Sequence, residues 1–81
     1  MSTLYNLRME HNIKKLLGLN IKAERVRKNI TQEQFAEKLD MSLSHISKIE
    51  QGLTSPSAIA IFKMSKVLNI NMEDFFKDIH A

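Results

Sequence analysis

Few residues in this chain are of a type that carries out catalysis or holds a metal ion. There is no cysteine, which excludes a thiolate nucleophile, a thiolate metal site and a disulfide. The three histidines, His11, His45 and His80, lie far apart in sequence and lack the spacing of metal ligands. We find no paired carboxylates, phosphate-cradling loop or catalytic triad in the sequence. We therefore expect a protein that binds a partner, is not an enzyme, and uses no metal or other cofactor.

The charged residues point to an anionic partner. The 81 residues include 12 lysines and arginines against 9 aspartates and glutamates, a net charge of +3. Seven of the basic residues lie within residues 1–28, where only Glu10 and Glu24 oppose them. This asymmetry favours a nucleic acid over a membrane surface. The longest apolar run, residues 58–62, is too short to cross a bilayer.

Helix signals predict one small all-α domain of about five short helices. Only two glycines and one proline occur, and no segment alternates like a β-strand. Thr31 and Gln34 form a capping box for a helix that ends near Leu39. After a two-residue break, Ser42 is a good N-cap for a helix that ends near Glu50. So short a connection makes the two helices cross steeply, as in a helix-turn-helix.

Three further helices complete the predicted domain. The first ends near residue 28 and turns Ile21, Arg25 and Val26 inward. Ser55 and Pro56 predict the N-cap and first position of another helix. That helix ends near residue 68, with an inward stripe of Ala58, Ile61, Met64 and Leu68. The last helix is capped by Asn71.

The segment Ile21–Phe76 closely resembles the Cro/repressor (Xre-type) helix-turn-helix family. The matching run is IKAERVRKNITQEQFAEKLDMSLSHISKIEQGLTSPSAIAIFKMSKVLNINMEDFF. Its signature residues are Thr31, Gln32, Ala36, Ile46, Ile49, Glu50, Gly52 and Pro56. The resemblance implies a five-helix, lambda-repressor-like fold and a cytoplasmic, sequence-specific DNA-binding transcriptional regulator. Asp40 departs from the family because it replaces the usual turn glycine, although aspartate tolerates a left-handed conformation.

The resemblance also implies which residues meet DNA. Helix 42–50 would enter the major groove, and Gln32 would contact a phosphate and steady that helix. Arg25 and Glu50 match positions that form a partly buried, structural ion pair. The remaining DNA-facing positions belong to helix 42–50 and the loop after it: Ser42, Leu43, Ser44, His45, Ser47, Lys48, Gln51, Thr54 and Ser55.

Residues 1–15 form a leader before the domain of residues 16–81. Their apolar residues suggest a weak helix without a clean stripe. Three roles stay open for this leader: a poorly ordered or weakly docked segment, part of a dimer contact, or an arm that contacts DNA.

Apolar residues beyond the predicted core favour self-association. Ile59 and Phe62, together with Phe76 and Ile79, suggest a homodimer through the last two helices. The alternative is that the leader covers these residues. In this family, dimers bind pseudo-palindromic operators. We expect a repressor, including of its own gene. The alternatives are an antitoxin that binds a toxin and represses its own operon, or a restriction–modification controller.

Overall fold

A computed structural model gives the backbone of residues 3–80 and the side chains of residues 6–80. Within residues 3–80 there are four α-helices: α1 (Thr3–Arg27), α2 (Gln32–Leu39), α3 (Leu43–Glu50) and α4 (Ala58–Leu68). A short 3₁₀ helix, Met72–Phe76, follows them. The all-α class is therefore confirmed, with a 3₁₀ turn as the fifth helical element. Within residues 3–80, no helix combines the length and hydropathy needed to span a membrane.

Helix α1 is longer than the sequence pattern indicates. It is 25 residues long and continues without a break through the segment that we set apart as a leader. Leu17, Ile21 and Arg25 are buried and recur every four residues, so they lie on one face of the helix. Val26 lies one position beyond this face and its side chain is 53% exposed, so the prediction that it faces inward is wrong.

Helix α4 begins later than predicted. Ser57, rather than Ser55, is its N-cap, and the Ser57 hydroxyl accepts a hydrogen bond from the Ala60 amide at 3.0 Å. Pro56 consequently lies before the helix, and Ala58 occupies the exposed first turn rather than the buried stripe. The rest of the predicted stripe, Ile61, Met64 and Leu68, is buried as expected.

All five helical elements contribute to a single core. Its largest fully buried side chains are Ile21, Phe35, Ile46, Ile49, Met64, Leu68 and Phe75. Phe75 belongs to the 3₁₀ helix, which packs against α1. The Asn20 amide donates hydrogen bonds to the carbonyl oxygens of Phe75 at 2.9 Å and Lys77 at 2.8 Å. These bonds hold the carboxyl-terminal segment on α1 and leave α2 and α3 packed together on another part of the core.

Candidate nucleic-acid interface

The turn between α2 and α3 is short and well defined. Asp40 ends α2 in the left-handed conformation, with φ 54° and ψ 46°, as the sequence predicts. The Met41 amide donates to the Ala36 carbonyl at 2.9 Å, so the chain leaves the helix in a tight turn. Ser42 then caps α3 by accepting a hydrogen bond from the His45 amide at 3.1 Å. Three residues thus connect the two helices and fix their crossing.

Helix α3 has one buried face and one exposed polar face. Ile46 and Ile49 are almost completely buried in the core. On the exposed side lie four of the predicted DNA-facing residues, Leu43, Ser44, His45 and Lys48, and Ser47 is partly exposed beside them. An α-helix displays such a row of hydrogen-bonding side chains in a shape that fits the major groove. We call this row the α3 exposed face.

The one acidic residue of α3 is removed from the exposed face. Glu50 is buried, and its carboxylate accepts hydrogen bonds from Arg25 Nε at 2.7 Å and Arg25 Nη2 at 3.0 Å. Arg25 Nη1 also donates to the Ile30 carbonyl at 2.7 Å. This bidentate ion pair joins α1 to the last turn of α3. Because the negative charge of Glu50 is neutralised inside the domain, Lys48 is the only lysine, arginine or carboxylate side chain of α3 that faces solvent.

Gln32 joins this buried pair, which the sequence did not indicate. It is the first residue of α2, and its Nε2 donates to Glu50 Oε1 at 2.9 Å. The side chain is only partly buried, so its amide reaches from the ion pair toward the surface. The bond connects residues 18 positions apart, and no local pattern could have identified it.

The loop after α3 folds back on the helix. Gln51 Nε2 donates to the Ser47 hydroxyl at 2.8 Å and to the Ser47 carbonyl at 3.1 Å. Gly52 follows with φ 77°, a left-handed conformation that glycine adopts without steric cost after a helix end. Thr54 and Ser55 lie further along the loop, and Ser55 is exposed. Leu53, which is 65% exposed, is a further surface residue of this loop, and no pattern in the sequence indicated it.

The four candidate dimer residues differ in their surroundings. Ile59 and Phe62 are exposed on neighbouring turns of α4, by 70% and 50% respectively. Phe76 is 40% exposed at the end of the 3₁₀ helix. Ile79 is partly buried and packs against the core, so it contributes less apolar surface than the other three. Lys66 covers part of Phe62, with its ammonium 5.1 Å from the ring centroid.

Comparison with known proteins identifies the family. A helix-turn-helix family model (HTH_3) matches residues 21–75, more than half of the chain. The chain belongs to the helix-turn-helix family. The described helices agree with this assignment, because α2 and α3 form the two helices on either side of the short turn.

Relatives place this helix-turn-helix protein among transcriptional regulators. It is 42% identical over 57 residues to YazB, an uncharacterized HTH-type transcriptional regulator of Bacillus subtilis, a match that covers 70% of this chain and 83% of YazB. It is 36% identical over 67 residues to the control protein C.BamHI of Bacillus amyloliquefaciens, covering 82% of this chain and 83% of the relative. It is therefore a DNA-binding regulator of the helix-turn-helix type.

A solved structure confirms the fold. The restriction-modification controller protein C.AhdI from Aeromonas hydrophila superposes with a TM-score of 0.73. The superposition covers 76% of this chain and 94% of the controller, at 24% sequence identity. This likeness concerns the fold alone.

Proposed function

We propose that this regulator recognises a specific DNA sequence by inserting α3 into the major groove. The α3 exposed face is the observation that carries the proposal, because it offers hydrogen-bonding groups and a lysine with no competing acidic side chain. Lys48 is suited to donate to guanine O6 and N7, and Ser44 to donate or accept at a neighbouring base edge. Leu43, 44% exposed at the start of α3, is suited to contact a thymine methyl group.

Residues at both ends of α3 are proposed to meet the phosphate backbone. Gln32 uses one amide hydrogen for Glu50, which leaves its second amide hydrogen for a phosphate oxygen. Ser42 and His45 lie at the amino-terminal end of α3, and Gln51, Thr54 and Ser55 lie in the loop after it. Contacts of this kind position the recognition helix, whereas the base contacts determine the preferred sequence.

We further propose that two copies bind together through α4 and the 3₁₀ helix. The exposed fractions of Ile59, Phe62 and Phe76 support this arrangement, since a second copy would remove them from water. Ile79 would lie at the margin of such a contact. A symmetric dimer presents two α3 helices, so its operator would be a pseudo-palindrome whose half-sites are about one helical turn apart.

In this proposal the protein acts in the cytoplasm by binding rather than by catalysis. It represses transcription by occupying an operator, including one upstream of its own gene. A toxin-binding antitoxin role stays a prediction from the sequence. In this antitoxin alternative, the protein would bind DNA in the same way and would also bind a toxin.

A role as a restriction–modification controller is the second candidate. The match to the control protein C.BamHI spans 67 residues, whereas the helix-turn-helix model spans residues 21–75, so the likeness to this control protein extends beyond the helix-turn-helix segment. The C.AhdI structure shares the fold over 94% of its own length. Adjacent genes for a restriction endonuclease and a DNA methyltransferase would support this candidate.

The proposed function is tested by footprinting the purified protein on DNA upstream of its own gene, with excess random DNA as competitor. We expect a protected pseudo-palindrome. Lys48→Glu should abolish the protection, because it places a negative charge on the α3 exposed face. Lys77→Gln is the control: Lys77 pairs with Glu24 on α1 rather than belonging to the helix-turn-helix, and Arg27 remains as a partner of Glu24. Protection that survives Lys48→Glu would contradict the proposed role of α3.

A further inference from the structure

Helix α1 carries a row of cations that the helix-turn-helix does not use. Arg8, Lys15 and Lys22 recur at seven-residue intervals, and seven residues are close to two turns of an α-helix. The three side chains therefore lie along one side of α1, and we call them the basic stripe. All three are exposed. None forms an ion pair with another side chain within residues 6–80.

The basic stripe runs along the side of α1 that faces the end of α3. Gly18 lies three residues after Lys15 and four before Lys22, so it shares their side of the helix. Gly18 approaches the α3 backbone so closely that an added Cβ would lie 2.8 Å from the Glu50 carbonyl oxygen. The Lys15 Cα lies equally near the loop, 2.8 Å from the position of a Cβ added to Gly52. The stripe thus begins beside the last turn of α3 and continues past the loop that follows it.

The other side of α1 is occupied by the carboxyl-terminal segment. Glu24 is buried there and forms ion pairs with Arg27 at 3.0 Å and with Lys77 at 3.1 Å. Asn20 holds the same segment through its hydrogen bonds to backbone carbonyls. Arg27 and Lys77, the two cations that pair with Glu24, therefore lie away from the helix-turn-helix, whereas the cations of the basic stripe lie beside it.

We propose that the basic stripe binds the phosphate backbone of the same DNA duplex that α3 reads, and so extends the contact outward along α1. This inference rests on the proposed function. Continuity with the candidate interface supports it, because the Lys15 backbone lies against Gly52, in the loop that carries Thr54 and Ser55. Charge complementarity supports it too, because Glu10 is the only acidic residue before Glu24. Arginine and lysine contacts to phosphates raise affinity without adding sequence information.

The test measures DNA affinity as a function of salt for the full chain and for the double variant Arg8→Gln/Lys15→Gln. The probes are a fluorescent random-sequence duplex and the footprinted operator, followed by anisotropy. Each lost phosphate contact should lower the affinity about five- to tenfold near 0.1 M salt and flatten the salt slope by about 0.9. The salt dependence of the double variant's affinity should therefore be shallower by a slope of about 2, and the change should be the same on both duplexes.

Two controls separate this effect from a change of fold or assembly. Lys77→Gln also removes one charge, but from the side of α1 that is occupied by the carboxyl-terminal segment, and it should leave the salt slope unchanged. The stripe residues are exposed, so the double variant should keep the circular dichroism spectrum and melting temperature of the original protein.

Each contrary result has a distinct meaning. If the double variant binds both duplexes with an unchanged slope, the stripe does not touch DNA, and the proposed function stands without it. If the double variant instead changes the sedimentation of the protein from dimer to monomer, the stripe belongs to a contact between copies and the inference is overturned. If the original protein binds neither duplex, the proposed function itself fails.

Discussion

Replacing Arg25 with methionine tests the buried network that holds α3. Arg25 and Glu50 have side chains only 9% and 2% exposed, so the pair is shielded from solvent. Arg25→Met keeps much of the volume but leaves the Glu50 carboxylate with the hydrogen bond from Gln32 as its remaining described partner. It also removes the donor to the Ile30 carbonyl. A buried charge that loses its counterion typically costs about 3–5 kcal/mol.

That cost is large for a domain of this size. A chain of 81 residues has a total unfolding free energy of about 4–12 kcal/mol, at about 0.05–0.15 kcal/mol per residue. We therefore expect Arg25→Met, at a cost of about 3–5 kcal/mol, to remove about a quarter or more of the stability. The melting temperature should fall by about 12 °C or more, since domains of this length lose about 4–8 °C per kcal/mol. Urea unfolding followed by circular dichroism gives the free energy directly.

Two further variants separate a pair with two buried partners from a pair with one exposed partner. The double variant Arg25→Met/Glu50→Leu removes both charges, so it should recover most of the stability lost by the single variant. Arg27→Met breaks the pair with Glu24, in which the arginine side chain is 60% exposed, and Lys77 remains as a partner of the buried Glu24 carboxylate. We therefore expect a cost of about 1 kcal/mol or less. If Arg25→Met lowers the free energy of unfolding no more than Arg27→Met does, or if the double variant is as unstable as Arg25→Met, the Arg25–Glu50 pair does not stabilise the domain in this way.

Two other substitutions test the close approach of α1 to α3 and the turn between α2 and α3. Gly18→Ala should destabilise the domain by about 1–3 kcal/mol in urea unfolding, because the new methyl group meets the Ile49 and Glu50 carbonyls. Alanine has a higher helix propensity than glycine by about 1 kcal/mol, so a variant that is stabilised by this amount would contradict the close packing. Asp40→Gly should stabilise the domain by up to about 1 kcal/mol, because Asp40 has a φ of 54°, and should also tighten DNA binding by removing a negative charge beside α3. Asn69, at the end of α4, has the same left-handed conformation, so Asn69→Gly is the control and should leave DNA binding unchanged. Equal effects of both variants on DNA affinity would show that the charge of Asp40 is not near the phosphates.

The sequence was most informative where local chemistry decides the structure. The capping box of Thr31 and Gln34, the Ser42 cap and the left-handed Asp40 each depend on residues within one helical turn. They also set the length of the turn between α2 and α3, and with it the α3 exposed face. The family resemblance added the pairing of Arg25 with Glu50, which lie 25 positions apart.

The errors arose where local signals were ambiguous or tertiary contacts decided. Ser55 and Ser57 are equally good N-caps, and only the fold determines that Ser57 begins α4. The sequence pattern separated the buried part of α1 from a weak helix in residues 1–15, because residues 6–12 are mostly exposed and form no apolar stripe. The hydrogen bond from Gln32 to Glu50 depends on the docking of α2 against α3, which a single sequence does not encode in any local pattern.

The central claim is that α3 reads a specific DNA sequence, and selection from a random pool of duplexes tests it most directly. The purified protein should enrich duplexes that share two half-sites related by two-fold symmetry. Lys48→Ala should enrich a related motif with a relaxed preference at one position of each half-site, since a bidentate base contact discriminates by about 1–3 kcal/mol. No enrichment by the original protein, or an identical motif for Lys48→Ala, would contradict the claim that the α3 exposed face determines sequence preference.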